Sequence, residues 1–423
     1  MKHGIRIDFG NLLLSLSEAL DITSPELQHH QLRTAYISWE LGKVMGLNEN
    51  LIENNFVAAL LHDIGAMTVE EKLRIHELKE TDTEPHCIRG EILLNRVEML
   101  KHCAPIIKNH HRQWLDWKDP IEDPRVQMSQ VLMLADHLER MIKKDAFILH
   151  QNKEITAGIT SMAGKSFHPR IVDAFITTAS REEFWLDLVS TRLYSILLNN
   201  GPQSKLTLDL DGIITISEFL RDLVDFKSRF TITHTTGVTA CSLILARLFG
   251  FSLIDLQHIE VAANLHDLGR LTVPNKIFEK PGKLSDAELA VMKSHTHFTY
   301  AILNSIEGLG QITEWAAFHH EKLDGSGYPF HCKADELGTG ARIIAIADIF
   351  TALTEERPYR KGMPKDEVLE ILNFFTKQQL LDDHIITLLK NNYEEVHTHV
   401  MNRQAGAKKY YANNLAFLDV RVI

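Results

Sequence analysis

MGLNENLIENNFVAALLHDIGAMTV (residues 45–69) and FGFSLIDLQHIEVAANLHDLGRLTV (residues 249–273) are two stretches that repeat one another at a shift of 204 residues. The matching positions include a His-Asp pair, His62-Asp63 in the first stretch and His266-Asp267 in the second. Apolar residues recur at i, i+3, i+4 and i+7 in LIENNFVAALLHDI (51–64), within the first stretch, which predicts an amphipathic helix there. The repeat therefore predicts two copies of one helical domain.

Helical periodicity continues through most of the chain and predicts an all-α fold. IVDAFITTA (171–179) and GARIIAIADIFTAL (340–353) are typical examples, whereas only LTLDLDGIITI (206–216) leaves helix and strand open. Glycine and proline are sparse except in a few loops such as LLNNGPQSK (197–205), which reads as a linker. We predict two tandem helical domains, residues 1–200 and residues 201–423.

Composition excludes several classes of protein. The 423 residues carry 45 Lys plus Arg and 56 Asp plus Glu, a net charge of −11, which argues against duplex nucleic acid as a partner. The four cysteines show no C-x-x-C spacing, so a disulfide scaffold is excluded and a reducing compartment is expected. The N-terminus is a poor signal peptide, and no uncharged apolar run is long enough to span a membrane. We expect a cytoplasmic protein without a membrane span, and the sequence predicts no oligomeric state.

Histidines are unusually common, 23 in all, and many fall into an ordered set that occurs once in each half. Each set contains a single His, a His-Asp pair, a second single His, a His-His pair and an Asp. The second half supplies His234, His266, Asp267, His295, His319, His320 and Asp348, and the first half supplies His30, His62, Asp63, His86, His110, His111 and Asp136. A single such histidine is usually a core residue. Packing rarely requires the same seven polar residues twice, so we predict metal binding.

The residue types indicate which metals these sets would hold. Imidazoles and carboxylates without a thiolate suit Fe, Mn, Co or Zn and disfavour Ca and Mg. Seven ligands exceed the four of a closed zinc site, so we predict two divalent ions that share a bridging carboxylate. Two such ions side by side are suited to in-line hydrolysis of a phosphodiester.

The second half resembles the HD-GYP family, the bacterial phosphodiesterases of the HD superfamily, from about His234 to Arg360. Four segments carry the resemblance in order: HDLGRLTVP, KPGKLSDAELAVMKSH, HHEKLDGSGYP and ARIIAIADIFTALTEERPYR. It implies hydrolysis of a 3′,3′-cyclic dinucleotide, cyclic di-GMP or cyclic GMP-AMP, to the linear dinucleotide, with Fe or Mn as the expected metal. It also implies one ion held by His234, His266, Asp267 and Asp348, and another held by Asp267, His295, His319 and His320.

The resemblance extends to the residues expected to act on substrate. His266, Asp267 and Arg270 are the predicted catalytic residues, and Arg270, Arg357 and Arg360 are predicted to bind substrate phosphate. A solvated basic patch is the alternative for Arg357 and Arg360.

Three departures from the family pattern affect these expectations. Arg270 stands where the family has a lysine, and it keeps the charge in a planar fork. Thr351 replaces an aspartate that contacts the substrate or the leaving group. Phe230 occupies the position of the glutamate found in members with a third metal, so two ions are expected.

The first half resembles a plain HD domain. It lacks the GYP motif, and Ala66 stands where the second half has Arg270. Glu26 lies four residues before His30, and on a helix these two side chains would share a face, so that Glu26 could add to the coordination. We predict that this half binds metal without being the main hydrolase, and that it stabilises the second half or binds a regulatory nucleotide.

Two other functions for the whole chain remain open at this point. One is a cyclic-dinucleotide sensor that keeps its metal site but has lost the chemistry, and Arg270 and Thr351 favour it. The other is an HD-type nucleotidase or (p)ppGpp hydrolase, which would explain the metals but not DGSGYP.

Overall fold

The computed structural model describes residues 5–21, 26–66, 68–76, 83–202, 207–228, 231–280, 282–356 and 361–414. Helices dominate these ranges, and the prediction of an all-α chain is confirmed. The strands within them are β1 (Ile7–Asp8) and β2 (Thr207–Leu208), which pair into a two-stranded sheet. The ambiguous stretch 206–216 therefore contains a two-residue strand and then the first turns of a helix. Phe230, Arg357 and Arg360 lie outside the described residues.

The chain divides into two compact units, and each is described by itself. The first unit comprises Asp8–Thr207, and the second comprises Leu208–Ile423 together with Met1–Ile7. The division follows residue 207, whereas the sequence places it after residue 200.

The first unit contains eleven α-helices among its described residues. They are α1 (Phe9–Asp21), α2 (His30–Val44), α3 (Glu49–Leu60), α4 (Val69–His76), α5 (Glu84–Leu94), α6 (Ala104–Lys108), α7 (Pro124–Arg140), α8 (Ile148–Ser161), α9 (Pro169–Ala179), α10 (Glu182–Leu188) and α11 (Leu193–Asn200). Short 3₁₀ helices cover Glu98–Cys103 and Trp114–Asp116. Helix α2 packs against α3 and α7 at the centre of this unit.

The second unit contains ten α-helices within the part that is described. They are α12 (Leu210–Phe226), α13 (His234–Phe249), α14 (Leu253–Leu265), α15 (Asn275–Phe278), α16 (Asp286–Asn304), α17 (Gly310–Ala317), α18 (Thr339–Thr354), α19 (Lys365–Lys377), α20 (Asp383–Asn391) and α21 (Tyr393–Asn414). A 3₁₀ helix covers Leu268–Thr272. Helix α13 packs against α14, α18 and α21, which places it at the centre of the unit.

Local sequence fixes the ends of the helices that carry the predicted ligands. The side chain of Ser252 accepts a hydrogen bond from the backbone N–H of Asp255 and starts α14. Ser285 and Glu288 form a reciprocal capping box that starts α16. Gly250 ends α13 with φ 96°, a left-handed conformation that glycine adopts without strain. These ends fix where the ligand-bearing turns begin.

Helix α18 is buried on several faces because its sequence, TGARIIAIADIFTALT, is apolar nearly all round. Ile343, Ile346 and Phe350 are each fully buried, and Asp348 lies among them with little exposure. A carboxylate in such a setting needs a charged or hydrogen-bonding partner.

No helix within the described ranges is long and apolar enough to cross a membrane.

Candidate metal centres

The second unit brings the seven predicted ligands together from five segments. His234 is the first residue of α13, and His266 and Asp267 follow the end of α14. His295 lies in α16, His319 and His320 follow α17, and Asp348 lies in α18. All are buried except His320, whose side chain is 23% exposed, so the open side of the centre is at this residue.

Asp267 lies between two groups of imidazoles. Its Oδ2 is 3.1 Å from Nε2 of His266, and its Oδ1 is 3.4 Å from Nε2 of His295 and 3.9 Å from Nε2 of His319. Asp348 completes one side, because its Oδ1 is 2.9 Å from Nε2 of His234. One carboxylate that faces both groups is the arrangement expected of a bridging ligand.

Backbone carbonyls fix which nitrogen of three histidines is available to a metal. Nδ1 of His266 lies 2.8 Å from the carbonyl oxygen of Ala263. In the same way, Nδ1 of His295 and Nδ1 of His319 each lie 2.7 Å from the carbonyl oxygen of the residue three positions earlier in the chain. A carbonyl only accepts, so Nδ1 donates in each case and Nε2 keeps its lone pair. The three Nε2 atoms point at Asp267 or at one another, in the form that binds metal.

Several buried polar atoms at the centre lack an aligned hydrogen-bond donor, as the ligands of a cation would. Both carboxylate oxygens of Asp267 and Nε2 of His266 are buried, and none has a well-aligned hydrogen-bond partner among the described residues. Buried polar groups in proteins are nearly always paired, so acceptors that converge on one point without an aligned donor are suited to bind a cation. The donor set of imidazole nitrogen and carboxylate oxygen fits a transition-metal ion.

The charge states of the histidines differ across the centre. Burial lowers the pKa of His295 to about 3, so this ring is neutral at ordinary pH. Burial also acts to lower the pKa of His234, but its hydrogen bonds to Asp348 and Glu355 outweigh that effect and raise the pKa to about 10. His234 therefore carries a proton here that a metal would replace.

Arg270 lies against the bridging carboxylate. Its Nε is 2.7 Å from Oδ1 of Asp267, and the guanidinium carbon lies 5.3 Å from the ring centre of Phe278. Thr351 is fully buried, and its hydroxyl has no hydrogen-bond partner among the described residues. In this arrangement Arg270 neutralises Asp267, and the hydroxyl at 351 makes no polar contact with the centre.

Sequence reasoning missed Glu355, which contacts the first of the predicted histidine ligands. Its Oε2 lies 3.3 Å from Nδ1 of His234, and its Oε1 accepts a hydrogen bond from Oγ1 of Thr233 at 2.8 Å. A carboxylate on the far nitrogen of a ligating imidazole fixes the ring and raises its basicity.

Sequence reasoning also missed Glu321, which follows the His-His pair directly. Its buried carboxylate accepts hydrogen bonds from the backbone N–H groups of Phe330, His331 and Cys332 at 2.7, 3.1 and 3.2 Å. The loop held in this way carries Tyr328, whose ring lies 5.0 Å from that of His320. Glu321 therefore fixes the DGSGYP loop beside the exposed ligand.

The first unit gathers its own seven predicted ligands in the same manner. Asp63 again lies between two groups, with Oδ2 3.6 Å from Nε2 of His62 and Oδ1 3.6 Å from Nε2 of His86. Nε2 of His30 lies 3.4 Å from Oδ1 of Asp136. The remaining members are His110, with Nε2 3.3 Å from Nε2 of His86, and His111, with Nδ1 3.9 Å from Oδ2 of Asp136. The two units therefore share one ligand layout.

Glu26 is a correction to the sequence-based expectation. The structure places it in a turn, exposed to solvent, and helix α2 begins only at His30. His29 precedes the helix with φ 63°, so the chain turns sharply between the two side chains. Glu26 and His30 share no helix face, so the expectation of a shared face, on which the added coordination rested, is wrong.

Charged side chains also surround the predicted ligands of the first unit. Glu139 accepts from Nδ1 of His30 at 2.5 Å, and Arg140 forms a short ion pair with Asp136. Arg112 occupies the position that corresponds to Glu321, and its guanidinium lies 4.4 Å from the Trp117 ring while it donates to the carbonyl of Asp116 at 2.8 Å. The ligand layout is thus shared, but its surroundings differ.

Comparisons with known proteins agree with this duplication. The family description "HD domain" matches residues 218–385 and, through a second family description of the same kind, residues 27–141. The chain contains two HD domains. Both matched ranges contain a full ligand set, and each HD domain extends over the helices that carry it.

Several relatives of this HD-domain chain have names that state an activity. 3′3′-cGAMP-specific phosphodiesterase 1 of Vibrio cholerae is 28% identical over 390 residues, covering 90% of this chain and 90% of the relative. 3′3′-cGAMP-specific phosphodiesterase 3 of the same organism is 28% identical over 419 residues, covering 85% and 89%. A cyclic di-GMP phosphodiesterase of Thermotoga maritima is 32% identical over 222 residues, covering 51% and 60%.

A solved structure resembles the whole chain. It is the crystal structure of a cyclic GMP-AMP specific phosphodiesterase of V. cholerae, with a TM-score of 0.63 and 25% sequence identity. The match covers 92% of this chain and 98% of the other. The likeness therefore includes both HD domains.

Proposed function

We infer that this chain is a metal-dependent phosphodiesterase that hydrolyses a 3′,3′-cyclic dinucleotide to the linear dinucleotide. The observation that carries the proposal is the buried carboxylate of Asp267 between two groups of imidazoles, with its oxygens lacking well-aligned hydrogen-bond partners. Two divalent ions, Fe or Mn, are the proposed occupants of the second unit. His234, His266, Asp267 and Asp348 would hold one ion, and Asp267, His295, His319 and His320 would hold the other.

The proposed division of work follows from the contacts of each residue. Bound ions at such a site supply Lewis acidity to a phosphodiester group. The three carbonyl-anchored imidazoles keep their Nε2 atoms aimed at the centre without further reorganisation. Arg270, now paired with Asp267, has its guanidinium at the edge of the ligand cluster, where it can turn to a phosphate oxygen once metal neutralises the carboxylate. Arg357 and Arg360 are proposed as further phosphate contacts.

Cyclic GMP-AMP and cyclic di-GMP are the substrates to compare. The two relatives matched over about nine-tenths of their length are named for 3′3′-cGAMP, whereas the cyclic di-GMP phosphodiesterase from T. maritima is matched over 60% of its own length. Sharing both HD domains with the first pair favours cyclic GMP-AMP as the preferred substrate.

A cyclic-dinucleotide sensor is the second candidate, because one observation favours it. Arg270 forms an ion pair with Asp267, and position 351 carries a threonine hydroxyl instead of a carboxylate. A protein of this kind would bind the cyclic dinucleotide and metal but would not turn the nucleotide over.

The first unit is proposed to bind metal without being the main hydrolase. Ala66 stands where the second unit has Arg270, and Arg140 pairs with the ligand Asp136. Position 66 therefore offers no cation where Arg270 of the second unit is proposed to contact a substrate phosphate.

The experiment measures bound metal by elemental analysis and product formation from cyclic GMP-AMP, cyclic di-GMP and ppGpp. The H266A/D267A double variant should lose the metal of the second unit and all hydrolysis. H297A is the matched control, because His297 lies two residues from His295 on α16 but is exposed, and it should keep both. Nucleotide binding without turnover by the wild type would establish the sensor instead, and turnover by the double variant would refute the metal assignment.

A further inference from the structure

The first unit contains a cysteine inside its histidine cluster. Sγ of Cys87 lies 3.6 Å from Nε2 of His86 and 3.6 Å from Nδ1 of His110. Together with His111, these residues place one nitrogen or sulfur atom each within 4.8 Å of one another. Cys87 is 3% exposed and His86 and His110 are fully buried, so the cluster is closed to solvent on most sides.

A second observation indicates that this cluster holds a cation. Oδ1 of Asp63 is buried and has no hydrogen-bond partner among the described residues, although it faces Nε2 of His86 at 3.6 Å. An unpaired buried carboxylate oxygen beside one histidine of this cluster is costly unless a positive ion lies nearby.

The second unit has no sulfur at the corresponding position. His86 corresponds to His295 at a shift of 209 residues, so Cys87 corresponds to Thr296. The hydroxyl of Thr296 donates to the backbone carbonyl of Lys293 at 2.9 Å and is therefore directed into its own helix. The two units thus offer different donor atoms to metal, although their histidines match.

We propose that Cys87 is a thiolate ligand in the first unit and that, with His86, His110 and His111, it selects zinc there, whereas the second unit takes iron or manganese. The proposal rests on the inferred metal binding by the first unit. Thiolate is a soft ligand that favours zinc over the harder first-row ions, and four protein ligands close the coordination of zinc. Binding breaks the S–H bond and forms a sulfur–metal bond, and the proton passes to solvent without electron transfer.

A closed zinc site in the first unit has a functional consequence. Catalytic zinc sites keep one position open for water or substrate, whereas structural sites do not. Zinc held by four side chains of the first unit would stabilise the fold and leave hydrolysis to the second unit.

Cobalt substitution tests the ligand directly. The H266A/D267A variant of the full chain disables the metal site of the second unit, so the metal that remains reports on the first. After loading with Co²⁺, this protein should show the near-ultraviolet charge-transfer band of thiolate-bound cobalt. Adding C87S should abolish the band, and adding C103S should not, because Cys103 is equally buried but contacts the carbonyl of Asn54 instead. The same protein, analysed as purified, should contain zinc.

The possible outcomes separate the two levels of the proposal. Bound cobalt without the band, in the protein that retains Cys87, overturns thiolate ligation and leaves metal binding by the first unit intact. A folded protein that binds no ion overturns the underlying metal binding itself. If C87S does not fold, zinc X-ray absorption on the unmodified chain decides, because a sulfur scatterer at ~2.3 Å requires a thiolate ligand and its absence refutes one.

Discussion

Replacing Gly269 by alanine tests how the His-Asp segment is held against α16. An ideal Cβ at this position would lie 1.9 Å from the carbonyl oxygen of His295 and 2.7 Å from the backbone nitrogen of Thr299. The contact is already tight, because the N–H of Gly269 donates to Oγ1 of Thr299 at 2.9 Å and that hydroxyl donates to the carbonyl of His266 at 3.0 Å. The two segments that meet here carry three of the proposed ligands.

The expected size of the effect follows from the overlap. Ordinary van der Waals contact begins near 3.4 Å, so the backbones would have to separate by 3.4 − 1.9 = 1.5 Å. Overpacking of this kind costs about 1–3 kcal/mol, and the weakened Gly269–Thr299 hydrogen bond costs about 1 kcal/mol more. A displacement of more than 1 Å between ligand-bearing segments also reduces turnover by on the order of 100-fold.

The assay combines thermal denaturation, bound metal and hydrolysis of cyclic GMP-AMP. G269A should melt lower, retain less metal in the second unit and lose most activity. G406A is the control, because a Cβ on Gly406 in α21 meets nothing within 4 Å, and it should be neutral or stabilise by about 0.5–1 kcal/mol. A G269A protein with full metal content and at least half the wild-type rate would refute the close-approach argument.

Three further predictions concern residues around the second centre. R270A should reduce hydrolysis by about 10- to 100-fold with metal content unchanged, and wild-type activity in this variant would leave Arg270 only as a counter-ion of Asp267. E355Q should weaken metal affinity by about 10- to 100-fold in competition with a chromophoric chelator, whereas E356Q, at an exposed neighbour, should not; equal affinities would remove the orienting role of Glu355. Burial raises the pKa of Asp225 to about 7 from its usual 3.8, so the folded state favours the protonated carboxyl, and the contribution of this group to stability should fall as pH rises from about 4 to about 7. D225N should lose that dependence in urea unfolding, and identical slopes for the two proteins would contradict it.

The residues that each unit gathers into one cluster could be predicted from sequence because the same set occurs in both halves of the chain. The spacing and order of these residues were enough to select them. Polar residues are conspicuous in helices whose other positions are mostly apolar. The comparison of the two halves also contains a pair of matching aspartates. Asp21 matches Asp225 at the 204-residue shift, and each accepts a hydrogen bond from the backbone N–H one residue after the first histidine, from Gln31 at 2.8 Å and from Thr235 at 3.0 Å.

The carboxylates that contact the first histidine of each set could not be predicted, because they do not occupy corresponding positions in the two halves of the chain. Glu139 and Glu355 both contact the far nitrogen of the first histidine, yet they lie three and seven residues after their respective aspartate ligands. Only the packing of the helices reveals that they act alike. Cys87 escaped notice because the repeat contains threonine there, and Glu26 was misplaced because four-residue spacing implies a shared face only where the chain is helical.

Glu321 and Arg112 give the two HD domains loop anchors of opposite polarity. The carboxylate after the second His-His pair collects peptide N–H groups, whereas the guanidinium after the first donates to a peptide carbonyl. In a chimera that received the DGSGYP loop but kept Arg112, the backbone N–H groups of the loop would face the N–H groups of the guanidinium. Neither group can accept a hydrogen bond from the other. Glu321 and the loop segment that its carboxylate holds would therefore have to be transferred together.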